Sequence, residues 1–436
     1  MSGRKFAFIA GLLLIGCGWA CLAFFMVSLK GAIGVLAVFT TISVLVEPLF
    51  GLTFAVASLP WGGFAVVIPE FLTLTKAITV LTCFALAARI AFGGLEFPFI
   101  SSSLKWYVFS FVFSFCTSIV SPAYNEFFFE YAQTPFLIAF FPFLFIIILR
   151  NYDQIRFLSI GGSVAAAGMA LAILVLGMEF FIRSETASTM RLSAGTNENE
   201  LGQILGICFA MCLIASAKTT LNWRKVLAVA ASLILYAILL TQSRGTWVGM
   251  LFATSITTFF VPGLSFKQRV TVMMGIVLIS FAAIFLVVFD VGGAGKLIEA
   301  RFSGTLHEGA TQASARRIDV VWPLWLKAFK EHPIIGMGIG GGHSILDWSA
   351  HNDALSLLGE RGILGFSLYM VFQIVIIVET LKNSEVSYKL ASIWILLFLI
   401  GSGMFTESLA LKSYGLGIGL VEALNNLGRA SNFQRS

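Results

Sequence analysis

The sequence predicts an all-α fold: a polytopic bundle of about 12–14 transmembrane helices with one long loop on the outer side of the membrane. Of its 436 residues, 58% are hydrophobic and only 11% are charged, whereas a soluble domain carries about 25% charged residues. The mean hydropathy is +0.93. Apolar runs of about 18 residues or more, each long enough to cross a bilayer, recur along the chain. Most of the protein surface is therefore expected to face lipid.

Apolar segments follow one another along the whole chain. The first follows the basic residues Arg4 and Lys5, and we predict a retained span, because it is too long for a signal peptide and no small-residue cleavage motif follows it. The second and third are separated only by Glu47-Pro48. The predicted spans are 6–28, 32–47, 50–69, 73–92, 104–120, 135–149, 157–178, 199–217, 225–242, 245–262, 270–290, 355–379, 389–406 and 409–425.

Basic residues indicate the orientation of the bundle. If the N-terminus lies inside, the inner connections hold most of the Lys and Arg residues of the short loops, as the positive-inside rule requires. The C-terminus then also lies inside, and the long loop faces outward. This topology divides the chain into N-terminal helices at 1–178, helices with arginine-bearing outer loops at 179–290, the long loop at 291–353 and C-terminal helices at 354–436. It also explains the pI of about 9.0 without any binding to nucleic acid.

The cysteines and carboxylates do not indicate a metal site. All six cysteines lie inside apolar runs, and no histidine or acidic residue flanks them as a metal ligand would. We interpret them as small packing residues. The outer face shows no Asp-x-Asp pair or carboxylate cluster that would hold a divalent cation. We therefore expect neither a metal ion nor another cofactor.

An arginine precedes the eighth predicted span. The stretch RSETASTMRLSAGTNENELGQ places Arg191 shortly before a helix that Asn197 or Asn199 would cap. One interpretation of Arg191 is a residue that binds a ligand at the outer face. The alternative is an arginine solvated in a loop.

A second arginine lies between the ninth and tenth predicted spans. In TQSRGTWVG, Arg244 is flanked by two apolar runs with almost no loop, and Gly245 indicates a tight turn. A charge at such a depth usually faces an interior cavity or a partner. The alternative is a side chain that extends to the membrane surface.

The long outer loop contains a predicted amphipathic helix. In SARRIDVVWPLWLKAFKEHP, Pro323 either begins or kinks the helix. Arg316 and Arg317 stand at its N-terminal side, where a positive charge gains nothing from the helix dipole, so a ligand role is an alternative to solvation. The apolar stripe at helical spacing consists of Ile318, Val321, Trp322, Trp325, Leu326 and Phe329.

A glycine-rich stretch, GMGIGGGH, follows this helix. Gly336, Gly338 and Gly341 fit the pattern G-x-G-x-x-G. However, no soluble strand precedes it and no βαβ unit follows, so we exclude dinucleotide binding. We expect a flexible or closely packed turn that returns the loop to the membrane.

A histidine closes the loop in SAHNDALSLLGERG. His351 lies directly before Asn352 and Asp353, which are good N-cap residues for the next span. A helix N-terminus disfavours the positively charged imidazolium, so a neutral imidazole that can act as a base is favoured. A lone histidine is otherwise more often structural.

Together these residues indicate a reaction at a phosphate group. Arginines bind phosphate through paired hydrogen bonds, and a neutral histidine can deprotonate a hydroxyl group. The combination predicts metal-independent attack of an alcohol on a carbon activated by phosphate, with a lipid diphosphate as the leaving group.

The ordered motifs resemble the O-antigen ligase/polymerase superfamily of bacterial membrane glycan transferases. These motifs are TQSRGTWVG, HPIIGMGIGGGH and AHNDALSLLGERGILG, with the long outer loop between the first two, and RLSAGTNENELGQ upstream. The resemblance covers roughly residues 190–366. It implies an inverting glycosyltransferase of the inner membrane that takes a glycan from undecaprenyl diphosphate at the periplasmic face, in lipopolysaccharide or other polysaccharide biosynthesis.

The resemblance also implies roles for particular residues. His351 would activate the acceptor hydroxyl, while Arg191 and Arg244 would hold the diphosphate, assisted by Arg316 or Arg317. Asn352 and Glu360 would support the site, as would Asn199. Alternatively, Asn352 only caps a helix and Glu360 only pairs with Arg361.

The motifs are compatible with more than one function. We favour an O-antigen ligase, whose acceptor is the lipid A-core, because of the single long loop and modest length. A polymerase, which joins lipid-linked repeat units, shares the motifs. A secondary transporter or lipid flippase is a distant alternative, because it would show inverted repeats or charges near the membrane midplane.

Overall fold

The structure is a computed structural model that describes residues 29–61, 66–68, 72–94, 100–119, 138–176, 197–217, 219–260, 265–289, 317–346, 349–383, 385–406, 409 and 411–433. These residues form a helical bundle. The helices are α1 Leu29–Val46, α2 Pro48–Ser58, α3 Leu74–Ala91, α4 Ser102–Ile119, α5 Ile138–Ile148, α6 Tyr152–Leu176, α7 Glu198–Ser216, α8 Leu221–Thr241, α9 Arg244–Phe260, α10 Phe266–Val288, α11 Trp322–Glu331, α12 Gly341–Leu346, α13 Asp353–Leu381, α14 Val386–Gly403 and α15 Lys412–Phe433.

Five of these helices are long and apolar enough to cross a membrane: α6, α7, α8, α13 and α14. The prediction of a polytopic helical membrane protein is therefore confirmed. Most predicted spans coincide with helices to within a few residues, because long apolar runs are the clearest signal in such a sequence. The predicted first span at 6–28 lies outside the described residues.

The predicted span at 50–69 differs from the structure. Helix α2 ends at Ser58 and continues only as a 3₁₀ turn, Leu59–Trp61. The chain then forms a short antiparallel hairpin of β1 Val66–Ile68 and β2 Leu72–Thr73. Pro60 lies in the turn, and it has no amide hydrogen with which to continue a helix. An apolar run therefore does not form one continuous span here.

Helix α7 lies in the centre of the bundle. It packs against α6, α8, α14 and α15, and its side chains are buried on every side from Leu201 to Met211. A helix that is apolar all round is stable only in such an interior position. The N-terminus of α7 is thereby held at one end of the bundle, where the candidate site lies.

Helices α9 and α14 approach each other closely because small residues face the contact. A Cβ atom added at Gly249 would lie 2.8 Å from the backbone oxygen of Phe398 and 2.9 Å from the backbone nitrogen of Ser402. At Gly245, it would lie 2.7 Å from Cγ2 of Thr406. The predicted tight turn beside Arg244 is present, but it consists of Gln242 and Ser243. Gly245 itself is helical and permits close helix packing.

We expect Gly249→Ala to lower the stability of the protein by about 1–3 kcal/mol, because the added methyl group collides with backbone atoms that cannot move independently. Thermal unfolding in detergent measures the effect. Gly275→Ala in α10 is the matched control, because nothing lies within 4 Å of a Cβ added there. An equal loss in both variants would show that close packing of α9 and α14 is not the cause.

Candidate active site

A cavity of about 390 Å³ lies at one end of the bundle. The N-termini of α7, α9 and α13 and the C-termini of α8 and α14 meet around it. Its wall combines polar and charged side chains with aromatic and aliphatic ones. The lining residues are Asn199, Gln242, Arg244, Gly245, Trp247, Val248, Leu251, Arg317, Ile318, Trp322, His351 and Phe405.

The structure brings together four of the residues singled out in the sequence. Asn199, Arg244, Arg317 and His351 all line the cavity, although they are up to about 150 residues apart in the chain. Asn352 and Glu360 do not line it but hold neighbouring backbone in place. The remaining two predicted residues, Arg191 and Arg316, lie outside the described residues.

Three helix N-termini lie at this end of the bundle. Helix α7 is capped by Asn197, whose side chain accepts a hydrogen bond from the Asn199 backbone nitrogen at 2.8 Å. Helix α9 begins at Arg244, and α13 begins after its cap, Asn352. The exposed N–H groups and dipole of a helix N-terminus attract anions. The arrangement therefore suits a ligand that carries negative charge.

Arg244 is the first residue of α9 rather than a loop residue. The turn before it consists of Gln242 and Ser243, and the Ser243 hydroxyl donates a hydrogen bond to Oδ1 of Asn199 at 2.9 Å. This bond ties the start of α7 to the turn between α8 and α9. The cavity thus has a rigid wall on the side of Arg244.

The backbone at His351 adopts an unusual conformation. Its φ angle is +50°, and that of Gln242 is +51°. Among the described residues, these are the non-glycine residues with positive φ, and both line the cavity. Such conformations are costly for residues with a Cβ atom and cluster at functional sites, where the surroundings enforce them.

Hydrogen bonds on both sides of His351 hold it in this conformation. The indole nitrogen of Trp322 donates to the Ala350 oxygen at 3.2 Å. The Asn352 side chain donates to the Met404 oxygen at 3.0 Å and accepts from the Leu355 nitrogen at 3.0 Å. The predicted cap at Asn352 is confirmed, and the Asn352 side chain also ties this backbone to the end of α14.

The glycine-rich stretch forms a packed turn. Gly336, Gly338 and Gly340 have positive φ angles. The Gly338 nitrogen donates to the Glu360 backbone oxygen at 2.8 Å, and the Gly340 nitrogen donates to Oε1 of Glu360 at 3.0 Å. Glu360 therefore anchors the end of the long loop to α13.

Helix α13 is broken where this turn docks. Gly362 has φ +62° and ψ −170°, and the Ile363 nitrogen donates to the Pro333 oxygen at 2.8 Å. A Cβ atom at Gly362 would lie 2.3 Å from the backbone oxygen of Ile334. The break lets the loop backbone pair with the helix and positions the segment that begins at His351.

We expect Gly362→Ala to abolish most activity and to destabilise the protein, because strain at this φ alone costs about 1–3 kcal/mol and the methyl group would displace the loop. A thermal melt together with an assay of the glycan transfer that the sequence resemblance implies detects both effects. Gly168→Ala in α6 is the control, since nothing lies within 4 Å of an added Cβ there. Normal stability and activity of Gly362→Ala would refute the role of the break.

The predicted amphipathic helix is present in the long loop. A π-helical turn, Arg317–Val321, leads into α11, and Pro323 lies in the first turn of α11. Val321 and Trp325 are buried, with the Trp325 ring packed against Gly342 and Gly359. Ile318 and Leu326 of the predicted stripe are instead exposed. The π-helical turn and the start of α11 thereby place Arg317 and Trp322 at the cavity.

Sequence reasoning missed several residues of the cavity wall. Gln242 and Trp247 belong to the motif around Arg244, and their local signal was the interruption of two apolar runs. Phe405 comes from the distant end of α14, and no local pattern indicates its position. Within the described part of the chain, no three His, Cys, Asp or Glu side chains are grouped as a metal site would require.

Comparisons with known proteins agree with the motifs. A family model described as O-antigen ligase matches residues 227–370, a segment that contains Gln242, Arg244, Arg317 and His351. A search of curated proteins found no match. The chain is thus a polytopic helical membrane protein that is similar to the O-antigen ligase family over residues 227–370.

Proposed function

We propose that this protein is an O-antigen ligase, which transfers a glycan from undecaprenyl diphosphate to a sugar hydroxyl of the lipid A-core. The match of residues 227–370 to the O-antigen ligase family supports a membrane glycan-processing enzyme. The observation that supports glycan transfer from a lipid diphosphate is that Arg244, Arg317 and His351 line one cavity between three helix N-termini.

In the proposed reaction, His351 acts as the general base. Its imidazole takes the proton from the acceptor hydroxyl while that oxygen attacks the anomeric carbon of the donor glycan. The bond between this carbon and the diphosphate oxygen breaks, and undecaprenyl diphosphate leaves with the electron pair. A single displacement of this kind inverts the configuration of the anomeric carbon.

Arg244 and Arg317 bind the diphosphate in this proposal. Guanidinium groups form paired, charge-assisted hydrogen bonds with phosphate oxygens. They and the helix N-termini stabilise the negative charge that develops on the leaving group. The proposed reaction therefore requires no metal ion. By resemblance, Arg191 and Arg316 assist the same step, and Asn199 supports it.

The remaining walls fit a donor with a lipid tail. Val248 and Leu251 lie one and two turns after Arg244 on the same side of α9, and the side chain of Leu251 is 69% exposed. A diphosphate at Arg244 would thus have an apolar surface beneath it. We place the site at the periplasmic face of the bacterial inner membrane, with both termini in the cytoplasm, from the distribution of basic residues.

A polymerase is the second candidate, because it uses the same donor and the same chemistry with another lipid-linked glycan as acceptor. The family match does not distinguish a polymerase from a ligase. A transporter is less well supported, since the charged residues of the cavity lie at helix ends rather than near the midplane.

The acceptor decides between ligase and polymerase. Purified protein is incubated with undecaprenyl-diphosphate glycan and either lipid A-core or a second lipid-linked unit, and the products are resolved by mass. We expect the lipid A-core to gain the glycan. Extension of only the second lipid-linked unit would establish a polymerase, and no transfer to either acceptor would refute the proposed function.

A further inference from the structure

A buried carboxyl group lies at the end of the bundle opposite to the cavity. Helix α4 runs between the two ends: the hydroxyl of Ser118 accepts a hydrogen bond from the Ile339 nitrogen near the glycine turn, and Ser103, at the other end of α4, contacts Glu379 of α13. Glu422 of α15 lies beside this second contact and has no exposed surface. The proposed transfer reaction assigns it no role.

A chain of oxygen atoms connects the two carboxyl groups. Oε2 of Glu422 lies 2.7 Å from Oγ of Ser101, which lies 3.1 Å from Oγ of Ser103. Oγ of Ser103 is in turn hydrogen-bonded to Oε2 of Glu379. Glu379 forms an ion pair with Arg429 of α15, with 3.5 Å between Oε1 and Nη1.

This chain of hydrogen-bonded oxygen atoms requires one more hydrogen atom than the two serine hydroxyls provide. Its three oxygen–oxygen contacts need three hydrogens, and the hydroxyls of Ser101 and Ser103 supply two. The third is available if Glu422 is a neutral carboxylic acid. Glu422 then donates to Ser101, Ser101 to Ser103, and Ser103 to the ionised carboxylate of Glu379. Ser101 also accepts from the Leu104 nitrogen at 2.9 Å, so its hydroxyl is fully satisfied.

The charges of the site agree with this assignment. The charged groups that act on Glu422 are Glu379 of α13 and Arg429 of α15, so two carboxyl groups share one guanidinium. Among the described residues, Oε1 of Glu422 has no hydrogen-bond partner. Burying an ionised carboxylate beside a second carboxylate is very costly, whereas burying a neutral acid there costs less. With Glu422 neutral, the net charge of the site is zero.

We propose that Glu422 binds a proton at neutral pH and that Glu422, Ser101, Ser103 and Glu379 form a proton-binding site that connects α4, α13 and α15. Ionisable residues inside a membrane protein are expensive and commonly functional. Loss of the proton would place a second negative charge against Glu379 and break the hydrogen-bond chain. The site thus makes the packing of these helices sensitive to pH, independently of the reaction proposed for the cavity.

Glutamine substitutions distinguish the two carboxyl groups. In Glu422→Gln, the side-chain amide donates to Ser101 as the acid does, so we expect an unfolding temperature near that of the wild type at neutral pH. In Glu379→Gln, the ion pair with Arg429 is lost, so we expect the unfolding temperature to fall several-fold more than in Glu422→Gln. An equal or larger decrease in Glu422→Gln would show that Glu422 is ionised and would overturn the proposal.

The dependence on pH provides a second comparison. The wild type should lose thermal stability as the pH rises, because the native state holds a proton that the unfolded chain has already released. Glu422→Gln should lack this part of the decline, which begins above the pH at which an ordinary carboxyl group loses its proton. An identical decline in both proteins would contradict the proposal.

Infrared difference spectra of the folded proteins detect the proton directly. The spectrum of wild type minus Glu422→Gln at neutral pH should contain the carbonyl band of a protonated carboxyl group, in sodium buffer and in choline buffer alike. Absence of the band would overturn the proposal. If the band were absent and the unfolding temperature rose in sodium buffer but not in choline buffer, an alkali ion rather than a proton would occupy the site.

Discussion

We expect His351→Asn to abolish glycan transfer while the protein keeps its fold. Removal of a general base typically lowers the rate roughly 10²–10⁴-fold. Asparagine is the most informative replacement, because it tolerates the positive φ of residue 351 better than most residues but cannot act as a base. The measurement is the initial rate of transfer by purified protein, together with its unfolding temperature.

Two further variants separate loss of the base from backbone strain. His351→Ala should be equally inactive but less stable, since alanine is unfavourable at φ +50°. His332→Asn, at the exposed C-terminal cap of α11, is the matched histidine control and should keep normal activity. Transfer by His351→Asn at the wild-type rate would exclude His351 as the base.

Arg244→Lys and Arg317→Lys should each lower kcat/KM by roughly 10- to 100-fold. Lysine keeps the charge but cannot make the paired contact, and a charge-assisted hydrogen bond contributes about 1.5–3 kcal/mol. The inhibition constant of added undecaprenyl diphosphate should increase in both variants, since the product carries the same diphosphate. Both parameters are obtained from initial rates in detergent.

A control for this pair lies at the opposite end of the bundle. Arg224 is exposed in the first turn of α8, far along that helix from the turn at Gln242. Arg224→Lys should leave kcat/KM and product inhibition unchanged. If Arg244→Lys and Arg317→Lys were as active as this control, a role of the two arginines in diphosphate binding would be refuted.

Hydrophobic runs were sufficient to predict most of the bundle from the sequence. Helices α6 and α14 begin and end within a few residues of the predicted spans at 157–178 and 389–406. The segment at 50–69 was predicted less well. Hydropathy does not distinguish a continuous helix from a short helix followed by a hairpin, and local backbone chemistry at Pro60 decides the outcome there.

Motifs predicted one wall of the cavity better than the others. Arg244 and His351 interrupt or precede apolar helices, which is a visible anomaly in a sequence with few charges. Phe405 could not be predicted, because its position depends on how α14 ends beside Asn352. The hydrogen bond between Glu422 and Ser101 could not be predicted from the sequence for the same reason. The two residues are 321 positions apart, and only the folded bundle brings them together.

The central claim is that the cavity between Arg244, Arg317 and His351 binds the diphosphate of the donor. A cryo-electron microscopy map of the protein in a lipid nanodisc with undecaprenyl diphosphate tests it most directly. We predict density for the diphosphate within hydrogen-bonding distance of both guanidinium groups and beside the imidazole of His351. Diphosphate density at another place in the bundle, with this cavity empty, would contradict the claim.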